Sequence, residues 1–250
     1  MIIVDNISKS FNSTQVLKDI SIRFEEGKTN LIIGRSGSGK TVLVKCIIGL
    51  HEVDQGSIFY HDRNLVTMDL KERQSLRREM GKLFQGSALF DSLTVEENIK
   101  FPLDMFTTMT EKEKVNRVNF CLERVSLNDV NHLFPAELSG GMQKRVAIAR
   151  AIVQNPKYLF CDEPNSGLDP ITAIVIDNLI SDITHEYNMT TVINTHDMNS
   201  VMEIGEKVVF LHDGKKAWEG TRDDILNTSH EALNDFVFAS NLAKKIKEKM

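Results

Sequence analysis

Residues 31–41 read Leu-Ile-Ile-Gly-Arg-Ser-Gly-Ser-Gly-Lys-Thr, and an apolar-rich run, TVLVKCIIGL, occupies 41–50. No other feature constrains the fold of this chain as strongly. A short continuous apolar run is what a strand buried on both faces requires. The glycines then let the backbone turn so that several N–H groups point at one spot. A helix opening directly after them adds a favourable potential for an anion. The pattern G-x-x-x-x-G-K-[ST] between a strand and a helix is a phosphate-cradling loop. Gly34, Arg35, Ser36, Gly37, Ser38, Gly39, Lys40, Thr41 and Val42 are therefore expected to hold a nucleotide. Lys40 reaches the terminal phosphates and the Thr41 hydroxyl ligates Mg²⁺.

The rest of the chain agrees with a parallel sheet covered by helices. Alternating apolar positions over the first thirty residues (Ile3, Ile7, Phe11, Val16, Ile20, Ile22, Phe24) read as antiparallel strands at a sheet edge. The stretch 57–65, entered through Gln55-Gly56, reads as a further strand or hairpin arm. From about Phe84 to Asn155 the pattern is helical, with capping boxes at Thr94–Glu97 and Thr110–Glu113. After Pro156 strands and helices alternate again, as in an α/β sheet. The expected architecture is α/β: a P-loop NTPase core with an N-terminal antiparallel β subdomain (1–84 and 156–229), an inserted α-helical subdomain (85–155) and a C-terminal helical tail (230–250). In the tail Ala232, Leu233, Phe236, Val237 and Leu242 fall at helical spacing, and Lys244, Lys245, Lys247 and Lys249 read as a solvated cationic end.

Composition narrows the function. A net charge of -5 over 250 residues offers no basic stripe for nucleic acid. No apolar run approaches the roughly 18 residues of a membrane helix, and the N-terminus lacks the pattern of a signal peptide. The chain is expected to be cytoplasmic, with any membrane role borrowed from partners. Cys46, Cys121 and Cys161 sit in apolar contexts without metal-type spacing and read as buried, reduced thiols.

Two further motifs carry chemistry. Tyr158-Leu159-Phe160-Cys161-Asp162-Glu163 is an apolar strand ending in two carboxylates, where ligands gather in α/β sheets. Asp162 there holds Mg²⁺ and Glu163 polarises an attacking water. Leu138-Ser139-Gly140-Gly141-Met142-Gln143 opens a helix, so its glycines and hydroxyl suit a second approach to phosphate.

The order of P-loop, Gln85, LSGGMQ, the strand ending in Asp-Glu, Ser166-Gly167-Leu168-Asp169 and His196 resembles the nucleotide-binding subunits of ABC transporters. The resemblance implies ATP and Mg²⁺ as ligands and ATP hydrolysis as the activity. It makes Glu163, His196, Lys40 and Gln85 catalytic and Thr41, Gln85 and Asp162 the metal set. Phe11 becomes an aromatic stacked on adenine, and Ser139, Gly140, Gly141 and Asp169 become nucleotide contacts across a homodimer. Transmembrane permease subunits would dock on the 85–103 region, with Phe90, Leu93, Phe101 and Leu103 either contacting them or packing inside the helical subdomain. This places the dimer on the cytoplasmic face of the inner membrane. The family usually has Gln where Met142 stands.

At finer grain, LFQGSALFDSLTVEENIKFPL at 83–103, Met142 and SGLDPITA at 166–173 resemble the ATPases of Mla-type phospholipid-transport systems. Those work with a lipid-binding protein carrying a mammalian-cell-entry (MCE) domain. Amino-acid importers and lipoprotein-release ATPases are the near alternatives. A non-transport ABC ATPase, or a module that binds ATP without hydrolysing it, remains the more distant one.

Overall fold

The computed structural model describes residues 1–238. Two sheets form the framework. The first is antiparallel and contains β1 (Ile2–Phe11), β2 (Thr14–Phe24), β4 (Gln55–Tyr60) and β5 (Arg63–Asn64), in the order β2-β1-β4-β5. The second has the order β10-β9-β3-β8-β7-β6. It comprises β3 (Thr29–Ile33), β6 (Met80–Leu83), β7 (Tyr158–Asp162), β8 (Thr190–Asn194), β9 (Lys207–His212) and β10 (Lys215–Gly220). Only β10 runs antiparallel there, paired with β9. The N-terminal strands thus build a sheet of their own rather than the edge of the parallel one. Alternation marks a strand with two different faces but does not say which sheet it joins.

The continuous apolar run of β3 has a direct structural reason. All five of its residues are buried. Leu31 and Ile33 face a core shared with the helices, whereas Ile32 faces a second core shared with the antiparallel sheet. Helix α1 (Lys40–Ile47) fills that second core with Leu43, Val44, Cys46 and Ile47. Tyr60 and Tyr158 meet edge to face inside it, with ring centroids 4.7 Å apart.

Helix α2 (Leu70–Arg78), capped by a box between Asp69 and Glu72, leads into β6. The sequence reading did not include it, because its polar residues bury only Leu76. Helices α3 (Val95–Phe106) and α4 (Glu111–Arg124) begin at the two expected capping boxes. They pack with α5 (Gly140–Ile152), whose Val146, Ala147, Ile148 and Ala149 are buried. Leu103, a candidate for either permease contact or the helical core, is 1% exposed and belongs to this core.

Helix α6 (Pro170–Glu186) and α7 (Met198–Ile204) cover the parallel sheet. After α8 (Arg222–Leu226), helix α9 (Glu231–Val237) seats Leu233 fully in the core and rests Phe236 on Phe210, with ring centroids 5.5 Å apart. The first part of the tail is therefore docked. Leu242 and the four lysines that end the tail lie outside the described residues. The three cysteines are free and buried. Among the described residues no helix is long and apolar enough to cross a membrane.

Candidate active site

The loop after β3 is shaped by steric necessity. Gly34 has φ +151°, and a Cβ there would run into the Leu211 carbonyl and come 2.7 Å from Ser38 Oγ. Gly39 caps α1 in a left-handed conformation without a side-chain hydrogen bond. The first-turn N–H groups of α1 are consequently left for an outside acceptor. Ser38 Oγ is buried without any partner. Lys40, 9% exposed, donates from Nζ to the carbonyls of Gly34 (2.8 Å) and Arg35 (3.2 Å). Burial lowers its pKa, while the carboxylates of Glu163 and Asp162 act the other way. A buried ammonium, a hydroxyl without a partner and a free helix start all fit the phosphates of a nucleotide.

The facing wall comes from the carboxyl ends of β7 and β8. Asp162 Oδ1 accepts from Asn194 Nδ2 at 2.7 Å. Glu163 adopts φ +47°, a conformation few side chains hold unless the surroundings impose it. Here the Glu163 N–H donates to the Asn194 carbonyl at 2.8 Å, which fixes the turn. Its Oε1 lies 2.7 Å from His196 Nδ1. The Glu163 side chain is 15% exposed and that of His196 is 69% exposed, so the acid is shielded while the imidazole reaches outward. A shielded carboxylate held by a histidine is suited to take a proton from water.

Both walls enclose a cavity of about 690 Å³. Of the expected residues, Gly34, Arg35, Ser36, Gly37, Gly39, Lys40, Thr41, Val42, Gln85, Asp162, Glu163 and His196 line it. Ser38 is buried within the same loop. Thr41, Gln85 and Asp162, the proposed metal set, thus share one cavity. Val16, Asn194 and Phe236 also line it and were not anticipated. Asn194 had a readable signal, a carboxamide at the end of an apolar strand. Phe236 had none, because its position depends on how α9 docks.

Phe11 is not among the residues that line this cavity. It ends β1, is 39% exposed, and meets His51 edge on at 5.2 Å with the Lys9 ammonium 5.4 Å from its ring centre.

Ser139, Gly140, Gly141 and Asp169 line a different cavity, of about 410 Å³, together with Met142, Arg145, Gly167, Leu168 and Thr172. The two cavities have no residue in common. Ser139 caps α5 through the Met142 N–H at 3.3 Å. Asp169 caps α6, accepting from the N–H groups of Ile171 (3.1 Å) and Thr172 (3.0 Å). Gly141 faces α6 so closely that a Cβ would stand 2.8 Å from Thr172 Cγ2.

Residues 17–166 match the ABC transporter family. The chain is 36% identical over 237 residues to the methionine import ATP-binding protein MetN of Clostridioides difficile, covering 95% of this chain and 74% of that protein. It is 39% identical over 232 residues to the MetN of Clostridium acetobutylicum, with 92% and 72% covered. Among solved structures it is similar to the ATP-binding cassette MJ0796 in a dimeric post-hydrolysis state bound to ADP and Pi, with a TM-score of 0.79 at 32% identity, covering 89% of this chain and 99% of that one. It is also similar to cbiO1 of Clostridium perfringens, part of the ABC transporter complex cbiONQ, with a TM-score of 0.86 at 25% identity and 100% and 98% covered. With the phosphate loop, the paired carboxylates and the histidine gathered around one cavity, these likenesses establish that the chain belongs to the ABC transporter family as an ATP-binding, ATP-hydrolysing subunit.

Proposed function

We propose that two copies of this chain close head to tail around two ATP molecules, so that the Ser139 cavity of each faces the Lys40 cavity of the other. The observation that carries this reading is the division of the functional residues between two separate cavities of one chain. In the closed pair Lys40 and the loop N–H groups bind phosphate, and Ser139 with the start of α5 covers it from across the interface. Thr41, Gln85 and Asp162 would hold Mg²⁺, which would supply charge neutralisation at the phosphates. Glu163 accepts a proton from the attacking water, and His196 holds the Glu163 carboxylate in place.

The permease docks in a groove of about 430 Å³ beside α3, where Phe84, Phe90, Phe101, Phe106 and Arg150 line the walls. All four of these phenylalanines are more than one third exposed, an unusual aromatic density for open surface.

For the cargo, the relatives favour amino-acid import over phospholipid trafficking, since the matches above are methionine import ATPases. They lend no support to an MCE-domain partner. Met142 and the stretches 83–103 and 166–173 carry the phospholipid reading as the second one. The membrane partner captured with this chain and placed in proteoliposomes separates the two. ATP-dependent uptake of labelled methionine supports the first reading. ATP-dependent movement of labelled phospholipid without methionine uptake overturns it in favour of the second.

A further inference from the structure

Helix α5 carries two cations with no carboxylate partner among the described residues, the buried Lys144 and the half-buried Arg150. Burial alone lowers the pKa of Arg150. For Lys144 burial is again the main cause, opposed only by Cys161. Lys144 is 4% exposed. An ammonium placed there is costly unless it satisfies something that needs it. Both cations spend their hydrogen bonds on one short segment. Lys144 Nζ donates to the Gln85 carbonyl. Arg150 donates to the carbonyls of Ser87 (2.7 Å) and Ala88 (2.8 Å). Ser87 and Ala88 have φ of +62° and +49°, so the segment does not hold its shape by local preference. The Gln85 carbonyl also accepts from Ser166 Oγ at 3.1 Å, a residue of the loop that follows Glu163.

One backbone oxygen therefore joins three pieces: the helix that starts at Ser139, the segment whose Gln85 side chain lines the nucleotide cavity, and the loop after the general base. We propose that Lys144 is a positioning residue for Gln85, transmitting displacement of α5 to the Gln85 side chain and hence to the metal end of the cavity. Lys144 itself touches neither nucleotide nor metal. Its ammonium fixes the backbone from which Gln85 projects, and Ser166 ties the same atom to the Glu163 loop. When the start of α5 engages phosphate across the dimer, the grip of Lys144 gives that event a direct mechanical path to Gln85 of its own protomer and so to that protomer's groups around Asp162 and Thr41. The inference rests on the ATPase activity and goes beyond it.

The test compares purified Lys144→Met, Lys144→Arg and Ser166→Ala with wild type for ATP turnover, KM for ATP, half-saturating Mg²⁺ and melting temperature. Loss of a residue that orients a metal-site group commonly costs about 10- to 100-fold. The expected result is a kcat for Lys144→Met lower by about that factor, with KM for ATP within about twofold of wild type and a higher Mg²⁺ requirement. Its melting temperature stays level or rises, because an unpaired buried charge has been removed. Lys144→Arg restores most of the turnover, and Ser166→Ala gives a smaller loss of the same kind. Wild-type kcat in Lys144→Met overturns the proposal. So does a joint fall of kcat and melting temperature that Lys144→Arg does not repair. If Lys144→Met does not fold, Ser166→Ala at its half-buried position decides, and an unchanged kcat and Mg²⁺ requirement there overturns the proposal. Wild-type turnover reports on the ATPase assignment, and only the ratio between variants reports on Lys144.

Discussion

Glu163 combines three features that a passive acid does not need together: a strained backbone, a shielded side chain and a histidine at hydrogen-bond distance. Removing the basic carboxylate while keeping the shape tests its role. Glu163→Gln is expected to lower phosphate release by about 10²- to 10⁴-fold, with ATP binding retained. Retained turnover would place the base elsewhere. A different carboxyl makes its own pH-dependent contribution to stability. Asp177 is buried on α6, its Oδ1 has no partner, and burial pushes its pKa up to about 6, against the nearby side chains of Ser200 and Asn165. The folded state therefore binds this proton more tightly than the unfolded chain does. Its contribution to stability is fully present below the unfolded carboxyl pKa of about 4 and is lost as pH rises through about 6. Asp177→Asn should thus be more stable than wild type near pH 8, by up to roughly 3 kcal/mol, and the gap should close toward pH 4. Urea denaturation at the two pH values measures it, and a gap that does not narrow at the lower pH contradicts the assignment.

At the scale of elements, α3 shows how one helix serves two masters. Its capping box at Thr94 and Glu97 fixes the start, and Val95, Ile99 and Leu103 point into the core. Phe101, two residues before Leu103, lies on the outer side and pairs with Phe90 at 4.9 Å between ring centroids. The two positions should respond in opposite ways. Leu103→Ala opens a cavity and is expected to cost about 2–5 kcal/mol of stability. Phe101→Ala should cost much less and should instead weaken capture of the permease. Thermal melts and co-purification of each variant check both halves, and a Phe101→Ala protein that binds its membrane partner normally would remove the groove from the docking surface.

At the scale of the whole molecule, the separation of the two cavities predicts the behaviour of mixed dimers. A Lys40→Ala chain and a Ser139→Arg chain each damage both sites of their own homodimer. In the mixed dimer both defects fall on one site, and the other is assembled from intact halves. Mixing two inactive variants should therefore restore turnover to up to about half that of wild type per mixed dimer. No gain above the separate variants would mean that each chain holds a self-sufficient site.

Some of this was fixed by local chemistry alone. The phosphate loop, the strand ending in Asp162 and Glu163, the caps at Thr94 and Thr110, and the helix start at Ser139 each depend on residues adjacent in the chain. Their spacing expresses backbone geometry directly, so they can be read without a fold. Leu103 and Phe101 could not be told apart as core or surface, because helical spacing gives two faces but not which of them meets the core. The resemblance implies an adenine contact for Phe11, and its ring meets His51 edge on, a contact set by where a loop forty residues away returns. Phe236 at the cavity, and the meeting of Lys144 and Ser166 on the Gln85 carbonyl, join segments 59 and 81 residues apart in the chain in the latter case. Such long-range meetings are settled by packing of whole elements, so only the tertiary structure could decide them.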